Sequence, residues 1–478
     1  MTGQVQPTAT IDPVTGRPIG HLATRQLVRI SFYWLGLSSI FAGLTFIVID
    51  LLEGRFGIAP DSVGGTLFRI SILGAAIAIV VQPTVGAISD YTVSRWGRRK
   101  PYIFVGTVLD VVFLIGIALS NELIALAAFI ALLQFSSNLA QGPFQGYVPD
   151  LVPEPQVGLA SAIVGMMQVF GNVSGVLIAG IAIAAKQPAL GLIGLGLLEL
   201  TTMLSVVIRV QDSRAPLDRA GRSWRSIAAS AWATDILKQR SYLWLLGSRL
   251  TILMAGGVLT GLGLLYLRRS LGYGDGFDGL AILPVVGFIA LGTVIAVLPA
   301  AKLSDRIGRR PVIWIACAIG ALGLALVAIG PSVAAAPADI LVLPDDSIDR
   351  VRAMLGDTRY WVALVGAVIY GLSAGAFLAV AWALITDIIP KASSGRYMGI
   401  SNVATASAGV LALAIGGTLM DWVTVEVGIS SGPIAAMWAA VALLGIGAVL
   451  LIPVDERPRD GDEALALLEA EEASLPAT

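Results

Sequence analysis

The sequence predicts an all-α, polytopic membrane protein: twelve transmembrane helices in two pseudo-symmetric six-helix bundles. Three observations lead there. Hydrophobic residues make up 56% of the 478 and charged residues 13%, about half the charged share usual in soluble domains, and mean hydropathy is +0.83. A soluble chain could not hide that much apolar surface, so a bilayer must act as solvent. The apolar residues gather in twelve runs of about 20, and features of the first six runs return in the second six.

The same composition excludes several function classes. A net charge of −1 gives no reason to expect nucleic acid or another polyanion as partner. The single cysteine, Cys317, lies in an apolar run, so disulfides within the chain are excluded. The single histidine, His21, sits in a polar tail and argues against histidine metal sites and catalytic triads. No Gly-x4-Gly-Lys-Ser/Thr loop occurs, so ATP is not expected to drive the protein. Neither an enzyme nor a cofactor is expected.

In chain order, residues 1–27 form a polar tail, too long and polar to open a cleavable signal peptide. The predicted spans are 28–49, 66–88, 101–120, 123–147, 159–184, 189–208, 242–266, 278–301, 311–330, 360–386, 398–420 and 433–452. A first bundle (28–208) and a second (242–452) are separated by a central loop (209–241), and a tail (453–478) follows. In that loop Trp224, Ile227 and Ala231 share a face among basic residues, which fits a helix on the membrane surface or a solvated linker. Most of the 31 Lys and Arg fall in the tails, the central loop and the other connections on the same side. Positive charge is retained inside, so both termini are expected in the cytoplasm, in a multi-pass protein of the cell (inner) membrane. A monomer is expected.

Two repeats support the division into halves. A basic hinge, Gly86, Asp90, Gly97, Arg98 and Arg99, returns as Asp305, Gly308, Arg309 and Arg310. Asp150, Pro153 and Gly158 after the fourth run match Asp387, Pro390 and Gly395 after the tenth, and Asn172 and Asn402 follow at similar depths.

These residues resemble the major facilitator superfamily, whose Gly-x-x-x-Asp…Gly-Arg-Arg/Lys loop is matched by Gly86, Asp90, Gly97, Arg98 and Arg99. The longer hinge is similar to that of sucrose–proton symporters and glycoside–pentoside–hexuronide cation symporters. So are Asn138, Gln141, Gly142 and Pro143, and the stretch from Trp382 to Pro390 with Gly399 and Asn402. The resemblance implies alternating access and a central cavity lined by spans 1, 4, 7 and 10. The chain departs from the branch at three positions. Gln134 and Gln145 stand where plant relatives carry a proton-coupling aspartate and a sugar-holding arginine, and Ala381 where many bacterial relatives carry an acid.

Gln134, Asn138, Gln141 and Gln145 form one helical stripe at i, i+4, i+7 and i+11. Amides donate and accept together, which suits sugar hydroxyls; they could equally join helices within the bundle. Asn172, Arg249, Trp382 and Asn402 complete the candidate binding set. Arg249 could hold a solute oxygen, pair with an acid or reach water at the membrane surface. Tyr33, Trp34 and Phe377 are further candidate faces for a sugar ring. Asp110 and Glu199 are mid-membrane carboxyls, which makes them candidate proton carriers or structural hydrogen-bonding groups. Asp90, Arg98, Arg99, Asp150, Asp305, Arg309, Arg310 and Asp387 are candidate gating charges, whose pairs would break as the halves rock, or charges that only set the topology. Asp50 and Arg69 are expected to reach water.

The function expected is secondary active transport of a small polar solute, a sugar or glycoside by the residue types, with a proton or sodium ion as candidate coupling ion. Export of an amphipathic compound and a transporter-like sensor without flux are the alternatives.

Overall fold

The computed structural model describes residues 20–153, 156–210, 240–274, 277–335, 347–388 and 407–454, with 219, 221, 223–230, 401, 404 and 405. Among them twelve helices are long and apolar enough to cross a membrane. Spans 1 to 6 are Thr24–Arg55, Val63–Asp90, Lys100–Leu119, Leu123–Gln145, Leu159–Ala184 and Pro188–Arg209. Spans 7 to 12 are Arg240–Ser270, Asp278–Ser304, Arg309–Ser332, Thr358–Ala381, Ser407–Glu426 and Ser431–Leu450. No strand occurs among the described residues, as expected where lipid leaves every backbone group to be satisfied within its own segment. The fold is a multi-pass helical membrane protein.

The chain enters span 1 and leaves span 12 at one end of the molecule, the terminal end; the other is the far end. Spans 1 and 7 run further toward the far end than hydropathy suggests. Each finishes in a π-helical turn, Leu51–Arg55 and Tyr266–Ser270. Those turns carry Glu53, Arg55, Arg268 and Arg269. A scan for apolar runs stops at such charges, whereas the helix continues because they find partners in protein.

Packing repeats between the halves. Span 1 packs on spans 5 and 6, span 2 on span 4, and span 3 on spans 4 and 6. Span 7 packs on spans 11 and 12, span 8 on span 10, and span 9 on spans 10 and 12. The two extensive crossings between halves, span 2 on span 11 and span 5 on span 8, are themselves pseudo-symmetry mates. The hinge repeats too: Gly97 (φ 103°) and Gly308 (φ 94°) both occupy the left-handed region that favours glycine, and each turns the chain just before its Arg-Arg pair.

The core is not uniform along the molecule. One apolar cluster joins the far end of the first half, at Ile47, Leu67 and Ile183, to the second half, where it runs from Leu262, Tyr273 and Ile282 at the far end to Tyr242, Val312 and Leu451 at the terminal end. At the terminal end the first half has a separate core, built on Leu27, Tyr33, Ile103, Phe144 and Val206. In the central connection a helix, Trp224–Ser230, packs on span 2 and fully buries Ile227, and the Arg219 guanidinium lies 4.8 Å from the centre of the Trp224 ring.

Candidate functional site

Deep in the first half, four spans contribute to one buried polar cluster. Asp110 of span 3 and Glu199 of span 6 are both fully buried. Ser136 and Ser137 of span 4 donate to the two Asp110 oxygens, Ser137 at 2.8 Å. The Tyr33 hydroxyl of span 1 donates to Glu199 Oε1 at 2.9 Å and also bonds Thr107 of span 3 at 2.5 Å. The two carboxyls interact with each other directly. From the sequence, Asp110 and Glu199 are mid-membrane carboxyls and Tyr33 a candidate face for a sugar ring. The structure gathers all three, and a Tyr33 ring without exposed surface has no face left for a sugar.

The hinge charges form a second cluster. Arg98 and Arg99, 4% and 6% exposed, converge on Asp150: Arg98 through Nη2, Arg99 through Nε at 2.8 Å. Arg99 Nη2 also reaches Asp90 at 2.8 Å and its Nη1 the Pro143 carbonyl at 2.8 Å. These contacts tie the ends of spans 2 and 4 to the start of span 3, all within one half. In the second half Arg309 donates to Ser304 Oγ at 2.6 Å, and Arg310 donates to the Ile452 carbonyl at 2.6 Å while lying over Trp314. The Asp305 and Asp387 side chains lie outside the described residues.

A third cluster, absent from the sequence reading, sits at the far end and does join the halves. Arg268 of span 7 pairs with Glu53 and, at 3.2 Å, with Asp50 of span 1, while holding Asp278 of its own half at 2.8 Å. Arg269 pairs with Glu53 and donates to the Pro60 carbonyl at 2.8 Å. Asp50, expected to reach water, is therefore engaged. Asp421 of span 11 accepts from the Gly64 and Gly65 amides at the start of span 2, at 3.0 and 2.5 Å, the favourable place for a carboxylate at a helix N-terminus. Beside these bonds Gly180 and Gly279 allow spans 5 and 8 to touch backbone to backbone: a methyl on either would meet the other's carbonyl oxygen.

The sequence model of the Major Facilitator Superfamily matches residues 22–344 and 351–475. The chain belongs to that superfamily. Its fold and family are those of transporters. Among relatives, the rice (Oryza sativa subsp. japonica) sucrose transport protein SUT1 is 31% identical over 126 residues, 22% of this chain and 23% of that protein. The lactose permease of Lactobacillus helveticus is 28% identical over 145 residues, 27% of this chain and 23% of that one. The chain thus matches about a quarter of the length of each. The crystal structure of a D-xylose–proton symporter superposes with a TM-score of 0.63 at 16% identity, over 90% of this chain and 97% of the other.

In this facilitator the amide stripe of span 4 is partly internal. Asn138 is 3% exposed, and its Nδ2 donates to the Gln134 carbonyl at 2.7 Å and Oε1 at 3.4 Å. Gln134 lies against Gly74 of span 2; Gln141 and Gln145 are half-buried, and Asn172 is exposed. Arg249 is buried rather than reaching water, and its Nη2 contacts Thr405 Oγ1 at 3.3 Å. Phe377 lines a small, largely apolar cavity of about 110 Å³ in the second half, with Ile252, Gly256, Tyr370 and Leu444. The Trp382 side chain and Asn402 lie outside the described residues.

Proposed function

We propose that the protein is a secondary active carrier of a neutral, hydroxyl-rich solute, a sugar or glycoside, moved across the cytoplasmic membrane by alternating access and coupled to a cation. The carrying observation is the uneven core: the first half shares an apolar cluster with the second at its far end, while at the terminal end it keeps a core of its own, separate from the second half. Two rigid units hinged in this way expose a central cavity to one side at a time. The rocking units are 28–208 and 242–452, acting as a monomer. Positive charge gathered in the tails, the central loop and the connections on their side supports a cytoplasmic terminal end, with both chain termini there.

The solute class rests on the amides of span 4, on Gln141 and Gln145 above all, and on the sucrose and lactose named for two relatives. Arg249, Asn172, Trp382 and Asn402 are proposed as further solute-binding residues. Uptake of a radiolabelled glycoside panel into proteoliposomes under an imposed proton or sodium gradient tests the reading. Accumulation of a sugar is expected. Gln141→Ala and Arg249→Ala should each lower it about 3- to 10-fold, the scale of one lost hydrogen bond, with the amount of inserted protein unchanged. Wild-type rates in both variants would remove the proposed binding site, and expulsion of amphipathic dyes without sugar uptake would replace the reading with an exporter.

A further inference from the structure

We infer that Asp110 and Glu199 form one proton-binding site, which takes up and releases the ion that drives solute movement. This rests on the carrier reading above and adds to it the ion and the place where the ion sits.

Both carboxyls are fully removed from solvent and in mutual contact. The groups that face them are hydroxyls: Tyr33 from span 1, Thr107 from span 3, and Ser136 and Ser137 from span 4. Tyr33 is the only other titratable one, and no Lys, Arg or His contacts the pair among the described residues. Two adjacent buried carboxylates without a counter-charge cannot both be ionised. Something positive must occupy the site.

The occupant is identified by one atom. Glu199 Oε1 accepts from Tyr33, but Glu199 Oε2, equally buried, accepts from no donor. A carboxylate oxygen so placed would forfeit its solvation; a protonated one carries its own donor, and the neighbouring Asp110 can accept. Tyr33, Ser136 and Ser137 already spend their protons on the carboxyl oxygens, and Thr107 its own on Tyr33, so the cluster is built around hydrogen rather than around a metal ion, which would need those oxygens turned toward it.

The cluster is also placed to sense the solute. Ser136 and Ser137 lie between Gln134 and Asn138 on the same helix. Tyr33 meets Phe144 edge-on at 4.9 Å, next to Gln145. A movement of span 4 that rearranges the amides therefore moves the donors of the carboxyl pair. In the dry arrangement the proton is held. When rocking admits water, the Glu199 O–H bond breaks, the proton passes to water, and the carboxylate left behind is hydrated.

Infrared difference spectroscopy of the purified full-length protein tests the site without any transport. A protonated-carboxyl C=O band that titrates with pH is expected, lost in Glu199→Gln and lost or displaced in Asp110→Asn. Tyr33→Phe leaves both acids in place and should shift the band frequency only. A band unchanged in all three variants, or absent from the wild type, overturns the inference. In proteoliposomes a proton gradient should drive accumulation. Glu199→Gln should abolish that accumulation with the amount of inserted protein unchanged, whereas driving by sodium alone overturns the assignment. If no sugar is taken up the carrier reading fails, and the infrared titration still decides the proton site.

Discussion

The two ends of the molecule carry similar charges and use them differently. At the terminal end, among the described residues, Arg98 and Arg99 grip Asp90 and Asp150 of their own half. At the far end, Arg268 and Arg269 reach from the second half to Asp50 and Glu53 of the first. By the contacts among the described residues, we read the first cluster as a brace and the second as a latch. What separates them is the path of the helices rather than the residue types. Spans 2 and 11 and spans 5 and 8 converge at the far end, the latter on facing glycines, and bring opposite charges together. The hinge loop instead folds back beneath its own bundle.

The largest effect should come from breaking the brace. Asp150→Ala leaves two nearly buried guanidiniums short of their shared carboxylate, and loss of one partner of a buried pair costs about 3–5 kcal/mol. Thermal unfolding in detergent should fall accordingly, with no change in which end is open. A drop below about 1 kcal/mol would make the cluster ordinary topology-setting charge. Glu53→Gln removes the carboxylate shared by both latch arginines, while Arg268 keeps Asp50 and Asp278. Its effect should be smaller on stability and larger on conformation, a shift of about tenfold, or 1.4 kcal/mol, toward far-end opening. Gly180→Ala should act in the same sense through sterics alone, costing the closed arrangement about 1–3 kcal/mol. Equal protease or alkylation sensitivity in variant and wild type would show that the crossing tolerates the extra methyl. Smallest of all is Arg352→Ala. Its partner Asp349 is 49% exposed and Arg352 itself 78%, and such surface pairs contribute about 0.2–1 kcal/mol. A large loss there would point to a contact of that helix beyond its own pair.

Hydropathy alone located the twelve spans, because twenty apolar residues leave few other options in lipid. The repeated hinge exposed the duplication because its glycine and arginines serve the same turn twice. The latch was not legible. Arg268 and Glu53 lie 215 residues apart, and a charge at a predicted helix end reads as solvated unless the facing helix is known. The carboxyl cluster was half legible. Asp110 and Glu199 stood out as acids in apolar runs, but their meeting depends on how spans 3 and 6 are rotated, which their nearly uniform hydrophobicity does not encode. Ser136 and Ser137 gave no signal beyond being small and polar beside Asn138.

The most direct test of alternating access is a pair of spin-label distances in lipid. Labels at Glu122→Cys and Val427→Cys report the far end, and labels at Val93→Cys and Ile307→Cys the terminal end. All four sites are exposed and the native Cys317 is buried. On going from wild type to Glu53→Gln, the far-end distance should lengthen as the terminal-end distance shortens. Distances that stay fixed, or that change in the same direction at both ends, would contradict two halves rocking about a central site.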